Sequence, residues 1–245
     1  MLAHDTISAS REHFGYEISN SIYKWTRMLL GTFIFMSVWC LSSASVRDPG
    51  YCKFENPPSD FVKPAICGIC AVWKPPRAHH CRRCNRCVFR MDHHCLWIDN
   101  CVGYRNQKSF ILFLLYAAIL SVLTFMCLLY SFVYNYDQVD LPVHVSMMLV
   151  ALISIKYTYE FLDEQMDFVE TNATLVETYQ NSKGSVPVNV FRHMFGDNMF
   201  LWLFPIYTSK SVDFSESVVT TGFLSKSDAD ELGINIDDIS DKKVD

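Results

Sequence analysis

The chain has 245 residues and a formal net charge of −5, and 50% of its residues are hydrophobic. This composition is too apolar for an ordinary soluble domain of that length, while a mean hydropathy of +0.12 leaves room for polar portions. The charge is uneven: residues 63–108 carry nine Lys or Arg and two Asp, and residues 212–245 carry nine Asp or Glu and three Lys. Such a basic module suits anionic headgroups or a phosphate-bearing cofactor, and we expect no nucleic acid partner.

The N-terminal part predicts one membrane span. Residues 1–27 form a polar segment without the apolar core of a signal peptide. Residues 28–46 carry no charge over 19 positions, which predicts a transmembrane helix, with a buried core helix as the alternative. Asp48-Pro49-Gly50 ends this helix, since proline cannot continue it. Residues 47–66 predict an extended connector.

The stretch from Cys67 to Phe110 holds seven of the ten cysteines and four of the eight histidines. Its C-x2-C pairs have zinc-ligand spacing, since two residues between thiolates let a turn direct both at one tetrahedral ion. A disulfide framework is the alternative, which the interleaved histidines disfavour. Two tetrahedral sites need eight side chains, so three of these Cys and His side chains are surplus. The adjacent His79 and His80 cannot easily serve one site together.

The tetrapeptide Asp92-His93-His94-Cys95 indicates a reactive thiol. On an extended backbone, His94 lies on one side and His93 with Cys95 on the other. If His94 binds metal, His93 and Cys95 remain as an imidazole beside a thiol, with Asp92 close enough to orient the ring. The imidazole and several nearby arginines predict a lowered pKa for the Cys95 thiol.

The pattern C-x2-C-x9-H-C-x2-C-x2-C-x4-D-H-H-C-x5-C-x4-N-x3-F is met at every position from Cys67 to Phe110. It resembles the cysteine-rich domain of the DHHC protein S-acyltransferases, or palmitoyltransferases. The resemblance implies two structural Zn²⁺ sites, each with three Cys and one His. They are Cys67, Cys70, His80 and Cys87, and Cys81, Cys84, His94 and Cys101. It also implies Cys95 as the acylated nucleophile, His93 as its base and Asp92 as the orienting acid.

The resemblance further implies an all-α multipass membrane protein with a small zinc-bound cysteine-rich cytosolic domain at residues 67–109. Its expected activity is transfer of a long-chain fatty acyl group from palmitoyl-CoA to cysteine thiols of membrane-associated protein substrates, through an acyl-enzyme on Cys95. Leu96 departs from the proline that members commonly carry after the DHHC motif. Thr174-Leu175-Val176-Glu177 resembles the family's TTxE element, with Leu175 replacing the second Thr.

Contacts with the acyl donor are expected on the basic module and on the next helix. Candidate partners of the CoA phosphates are the basic residues Lys74, Arg77, Arg82, Arg83, Arg86 and Arg90. Contact with lipid headgroups is the alternative. The acyl chain is expected against one helix face, formed by Phe110, Phe113, Ala117 and Leu120. Plain packing against lipid or another helix is the alternative for that face.

Two more spans are predicted. Residues 110–134 carry no charge over 25 positions and give the clearest transmembrane helix. Residues 141–162 give the weakest, because only 145–155 is cleanly apolar, and a membrane-surface helix is the alternative. Within residues 163–211, a cytosolic region, two segments resemble the family's membrane-apposed C-terminal part, with an ordinary amphipathic patch as the alternative. Residues 212–245 predict an acidic disordered tail.

Charge predicts the orientation, because positive residues near spans stay cytoplasmic. The Cys/His module therefore faces the cytosol, which is reducing and keeps thiolates free. Lys242-Lys243 give the tail the KKxx form of a retrieval signal, so we expect the endoplasmic reticulum or Golgi. The family typically has four spans, so three imply that its first helix is missing; a shortened form, a fragment and an unusual member with a lumenal start remain open. A zinc-stabilised scaffold and, more distantly, a RING-type ubiquitin ligase are the competing functions.

Overall fold

The structure is a computed structural model, and it describes residues 2–52, 65–75, 77–134, 140–180 and 194–207. Side chains are described from residue 20 onward. The elements in chain order are helix α1 (Leu2–Val46), strands β1 (Ala78–Cys81), β2 (Arg86–Phe89), β3 (His93–Cys95) and β4 (Asn100–Val102), and helices α2 (Gln107–Tyr134), α3 (Leu141–Glu170) and α4 (Leu175–Tyr179). A 3₁₀ turn follows at Met199–Leu201.

Three helices are long and apolar enough to cross a membrane within the described ranges: Asn20–Val46, Gln107–Tyr134 and Leu141–Glu170. They correspond to the three predicted spans, but their bounds differ from those predicted. Helix α1 continues back through the polar segment to Leu2, since residues 2–27 contain no proline to interrupt it. Helix α3 likewise continues past Leu162 to Glu170. Charged residues limit how far a membrane span can extend, but they do not end a helix.

Several predicted segments lie outside the described residues. They are residues 53–64 of the connector, residues 181–193 and 208–211 of the membrane-apposed region, and the acidic tail from 212 to 245. The predictions for these segments stay predictions.

The chain divides into two compact units, of which the first comprises Met1–Ser37 and Tyr116–Thr158. Within this unit His144, near the start of α3, donates from Nε2 to the carbonyl of Leu128 in α2 at 2.8 Å. Its ring also stacks on that of Phe132, with centroids 6.3 Å apart. A buried polar side chain in a membrane-capable helix thus has a backbone partner, as burial requires.

The second unit comprises Val38–Leu115 and Tyr159–Asp245 and contains all four strands. Strands β1 and β2 form one antiparallel hairpin, with His80 opposite Cys87. Strands β3 and β4 form another, with His94 opposite Cys101. Five of the predicted metal ligands lie on these four strands: His80, Cys81, Cys87, His94 and Cys101.

Two asparagines of this unit hold the end of α1, whose last carbonyls lack partners within the helix. Asn100 Nδ2 lies 3.0 Å from the carbonyl oxygen of Ser45 and 2.9 Å from that of Arg47. Asn106 is fully buried, and its Nδ2 donates to the carbonyls of Ala44 at 3.0 Å and Cys101 at 2.8 Å. The hairpin region is therefore tied directly to the end of a membrane-capable helix.

The turn after α1 brings the chain onto the first hairpin. Asp48 Oδ1 accepts the N–H groups of Gly50 and Tyr51, both at 2.8 Å. Gly50 has a φ of 109°, which favours glycine, and its carbonyl accepts the N–H of Phe89 at 2.8 Å. A Cβ on Gly103 would lie 2.6 Å from the Pro49 carbonyl oxygen, so only glycine permits this close approach.

The start of α2 is held by the C-terminal segment 194–207. Lys108 is buried, and its ammonium donates to the carbonyls of Leu201 at 2.9 Å and Ile206 at 2.7 Å. The Tyr207 hydroxyl lies 2.9 Å from that of Ser109. Because backbone carbonyls surround a buried cation, this segment has a defined place against α2.

We expect Asn106→Ala to lower the stability of the folded chain. The substitution removes the donor to two buried carbonyls, and each unsatisfied buried group costs about 1–3 kcal/mol. A fall in melting temperature of roughly 2–4 °C per kcal/mol is expected, measured by thermal unfolding in detergent. Asn20→Ala, at an exposed position of α1, is the matched control and should leave the melting temperature unchanged. Equal melting temperatures for both variants would contradict this role of Asn106.

Candidate functional site

Two groups of four Cys and His side chains can each hold a metal ion. Their members are Cys67, Cys70, His80 and Cys87 in the first group, and Cys81, Cys84, His94 and Cys101 in the second. Within each group all the ligand atoms lie within 4.8 Å of one another. Three thiols and one imidazole are a donor set suited to tetrahedral zinc, so the residues fit the ion that the sequence predicts.

The hairpins explain why neighbours in sequence serve different groups. His80 and Cys81 are adjacent in β1, where successive side chains lie on opposite faces. His80 Nδ1 lies 3.1 Å from Cys70 Sγ in the first group, and His94 Nδ1 lies 3.4 Å from Cys84 Sγ in the second. All ten cysteines are free in the structure, which does not support the disulfide alternative.

The three Cys and His side chains of this stretch that lie outside both groups are His79, His93 and Cys95. The ligand count predicted their number, and the family resemblance implied which they are. His79 is half-buried, and burial lowers the pKa of its imidazole. In β3 the expected alternation is present: His94 belongs to the second metal group, while His93 and Cys95 lie outside both groups and shift each other's pKa. The thiol of Cys95 is buried among apolar side chains: Ala44, Ile98, Val102, Phe110 and Leu114.

An Asp–His–Cys array links these surplus groups. The fully buried Asp92 places Oδ2 2.9 Å from His93 Nδ1. Burial alone would lower the pKa of His93, but the hydrogen bond to Asp92 and the interaction with the Cys95 thiol outweigh it and raise the pKa to about 9. Burial would raise the pKa of Cys95, but its interaction with His93 and the backbone N–H groups of Trp97 and Ile98 lower it. Both shifts favour transfer of the thiol proton to the imidazole, and the lowered Cys95 pKa agrees with the prediction.

Asp92 is itself held by the last turns of α3 and by the start of α4. Gln165 of α3 donates from Nε2 to Asp92 Oδ2 at 2.8 Å. The backbone N–H of Leu175, at the start of α4, donates to Asp92 Oδ1 at 2.7 Å. Burial alone would raise the pKa of Asp92, but the hydrogen bonds from His93, Leu175 and Gln165 outweigh this effect. The pKa of the carboxyl is therefore below its ordinary value. Because Leu175 contributes its backbone, a leucine at this position leaves the contact intact.

Sequence reasoning did not find Gln165. A single glutamine near the end of a membrane-capable helix carries no periodic signal, and its contact with Asp92 spans 73 positions. Only the structure shows that this polar side chain is buried, at 3% exposure.

The structure places Arg77 in an internal ion pair. Its Nε and Nη2 donate to the two carboxylate oxygens of Glu177 at 2.6 and 2.7 Å, and its guanidinium also contacts Asn172. This bidentate pair joins the first hairpin to α4. Sequence reasoning assigned Arg77 to the CoA phosphates without detecting Glu177 as a partner, because the pair spans 100 positions.

The other basic candidates divide by exposure. Arg90 is buried and donates to Gln107, whereas Arg82, Arg83 and Arg86 are exposed and Lys74 is partly exposed. Contacts of Lys74 and Arg77 with CoA stay predictions.

Part of the predicted acyl-chain face lies beside the array. The rings of His93 and Phe110 meet edge to face, with centroids 5.5 Å apart. Phe113 packs against the same apolar cluster as Cys95. Ala117 and Leu120 lie further along α2 and belong to the first compact unit. The role of Phe110, Phe113 and Ala117 in acyl-chain binding stays a prediction.

Comparison with known proteins gives the same family as the motif. A family model described as DHHC palmitoyltransferase matches residues 60–204, which is more than half of the chain. The chain is 32% identical to "Probable protein S-acyltransferase 13" of Arabidopsis thaliana over 178 residues, which are 67% of this chain and 59% of that protein. It therefore spans less than two thirds of the length of this relative.

Two further relatives from Arabidopsis thaliana are matched over more of their length. "Probable protein S-acyltransferase 15" is 29% identical over 80% of this chain and 89% of its own. "Probable protein S-acyltransferase 14" is 30% identical over 86% of this chain and 81% of its own. Together with three membrane-capable helices, these matches show that the chain is an integral membrane protein and belongs to the DHHC palmitoyltransferase family.

Proposed function

We propose that the chain is a protein S-palmitoyltransferase, which transfers a long-chain fatty acyl group from acyl-CoA to cysteine thiols of protein substrates. The observation that carries the proposal is the surplus thiol. Cys95 lies outside both metal groups, and its thiol pKa is lowered by an imidazole that Asp92 holds at 2.9 Å. A purely structural module has no use for such an array once eight ligands are placed.

The first step is acylation of Cys95. His93 takes the thiol proton, and the thiolate attacks the thioester carbonyl of palmitoyl-CoA. The carbon–sulfur bond to CoA then breaks, and the CoA thiolate leaves with the proton that His93 carried. Asp92 stabilises the imidazolium throughout, and general-base assistance of this kind contributes roughly 10²–10⁴-fold in rate.

The second step transfers the acyl group to the substrate. His93 takes the proton of a substrate cysteine, whose thiolate attacks the acyl carbonyl on Cys95. The bond between the acyl carbon and Cys95 Sγ breaks, and the proton returns to Cys95. Because the protein substrate must reach a thiol close to the end of α1 and the start of α2, we propose membrane-associated substrates with cytosolic cysteines.

Two zinc ions are proposed as structural ions. Their Cys3His donor sets leave no open position for a reacting group, as in closed structural sites. The ions would supply folding free energy on the order of 10 kcal/mol each. This suits a module whose strands are three or four residues long and form sheets of only two strands.

The donor and the membrane setting are proposed from charge and apolar surface. The exposed Arg82, Arg83 and Arg86, with Lys74 and Arg77, are proposed for the phosphates of CoA. Phe110 and Phe113 are proposed for the acyl chain near Cys95, where burial contributes about 0.8 kcal/mol per methylene. We propose a cytosolic site because basic residues lie between two spans, and a membrane of the endoplasmic reticulum or Golgi as its location.

We expect Cys95→Ser to abolish self-acylation, because a serine hydroxyl is far less acidic than a thiol and forms an ester instead of a thioester. The purified chain is mixed with labelled palmitoyl-CoA in detergent, and the label released by hydroxylamine is measured. Zinc content should stay at two ions per chain. Cys127→Ser, within α2, is the matched control and should acylate normally. A Cys95→Ser chain that still acquires a labile acyl group, or that loses a zinc ion, would contradict the assignment of Cys95 as the nucleophile. A wild-type chain that acquires no label would favour the alternative function, a zinc-stabilised scaffold.

The two histidines of the motif should separate by metal content. His94→Ala removes a ligand, so we expect fewer than two zinc ions per chain and a lower melting temperature. His93→Ala should retain both ions and lose roughly 10²–10⁴-fold in the rate of self-acylation. His79→Ala, at a surplus position, is the control and should retain both ions. Equal zinc loss in the His93 and His94 variants, measured by atomic emission, would show that the roles are wrongly assigned.

A further inference from the structure

A line of buried polar side chains runs from a cation to Asp92. Arg90 Nη1 donates to Gln107 Oε1 at 2.5 Å. Gln107 Nε2 donates to Gln165 Oε1 at 3.1 Å, and Gln165 Nε2 donates to Asp92 Oδ2 at 2.8 Å. All four side chains are at most 3% exposed. Arg90, Gln107 and Gln165 belong neither to the Asp–His–Cys array nor to a metal group.

The direction of this line is determined by its two ends. Arginine can only donate, so the oxygen of Gln107 must face Arg90 and its NH₂ group must face Gln165. A carboxylate can only accept, so the NH₂ group of Gln165 must face Asp92. Turning either amide around would set donor against donor or oxygen against carboxylate. Four hydrogen-bonding groups thus form one arrangement in which every dipole points the same way, and such chains reinforce each other.

The line ends on the carboxylate oxygen that contacts the imidazole. Gln165 Nε2 and His93 Nδ1 both donate to Oδ2 of Asp92, whereas the backbone N–H of Leu175 donates to Oδ1. The carboxylate therefore cannot rotate without losing at least two hydrogen bonds in a buried setting. Because Arg90 reaches Asp92 only through two amides, it supports the negative charge without competing with His93 for the same oxygen.

We infer that Gln165 is a positioning residue for acylation of Cys95, acting through Asp92 and supported by Gln107 and Arg90. The inference rests on the proposed function. Gln165 fixes the plane of the Asp92 carboxylate, and the carboxylate fixes the ring of His93. The ring then presents its second nitrogen to the Cys95 thiol in the orientation that proton transfer needs. The last turns of α3, the third membrane-capable helix, in this way contribute to the reactivity of a thiol in strand β3.

Two substitutions of similar size remove the donor to Asp92. Gln165→Leu removes both hydrogen-bonding ends, and Gln165→Glu keeps the shape but sets a second carboxylate against Asp92. We expect the maximal rate of acyl-enzyme formation with palmitoyl-CoA to fall on the order of 10- to 100-fold, because small misplacements of reacting groups have effects of this size. The palmitoyl-CoA concentration at half-maximal rate and the content of two zinc ions should not change. Gln180→Leu, at an exposed glutamine, is the matched control and should react at the wild-type rate.

A double substitution separates positioning from a general effect on folding. If Gln165 acts through Asp92, adding Gln165→Leu to Asp92→Asn should slow acylation no further than Asp92→Asn alone, because coupled residues are not additive. A further loss as large as that seen in the wild-type background would overturn the inference. So would wild-type rates in both Gln165 variants, or loss of zinc in both. A wild-type chain that acquires no acyl group contradicts the proposed function, whereas a wild type acylated on Cys95 beside fully active Gln165 variants contradicts this inference alone.

Discussion

Placement of eight Cys and His side chains around two points is the constraint on which the site depends. The strands that carry them have three or four residues each and form two separate hairpins, so they have little sheet or core of their own. Once His94 faces the second metal group, the extended backbone of β3 leaves His93 and Cys95 on its other side. The reactive array is thus a geometric consequence of metal ligation by the residue between them.

Asp92 connects this module to the rest of its compact unit. Its carboxylate accepts from His93, from Gln165 in α3 and from the backbone at the start of α4, while Arg77 pairs with Glu177 in α4. Asn100 and Asn106 also bind the last carbonyls of α1. Buried charges and amides of this kind need partners, so the end of α3 and the start of α4 are positioned by the same groups that orient the imidazole.

The motif predicted much of the site because ligand spacing is a local property. Zinc-like spacing, the number of surplus side chains and the opposite faces of β3 follow from residues within about thirty-five positions, from Cys67 to Cys101. The division of the ligands into two groups was implied by the family resemblance. Gln165 and Glu177 could not be found in this way, since their partners lie 73 and 100 positions away. The bounds of α1 and α3 were also missed, because hydropathy marks where a helix can enter a membrane and not where its backbone hydrogen bonds begin or end.

X-ray absorption at the zinc edge of the purified wild-type chain tests the central claim most directly. The account predicts two ions per chain, with an average first shell of three sulfur atoms at about 2.3 Å and one nitrogen at about 2.0 Å. The same spectrum should be obtained after Cys95 is alkylated, since that thiol lies outside both groups. The account would be contradicted by an average first shell of four sulfur atoms, by a single ion per chain, or by a spectrum that changes when Cys95 is alkylated.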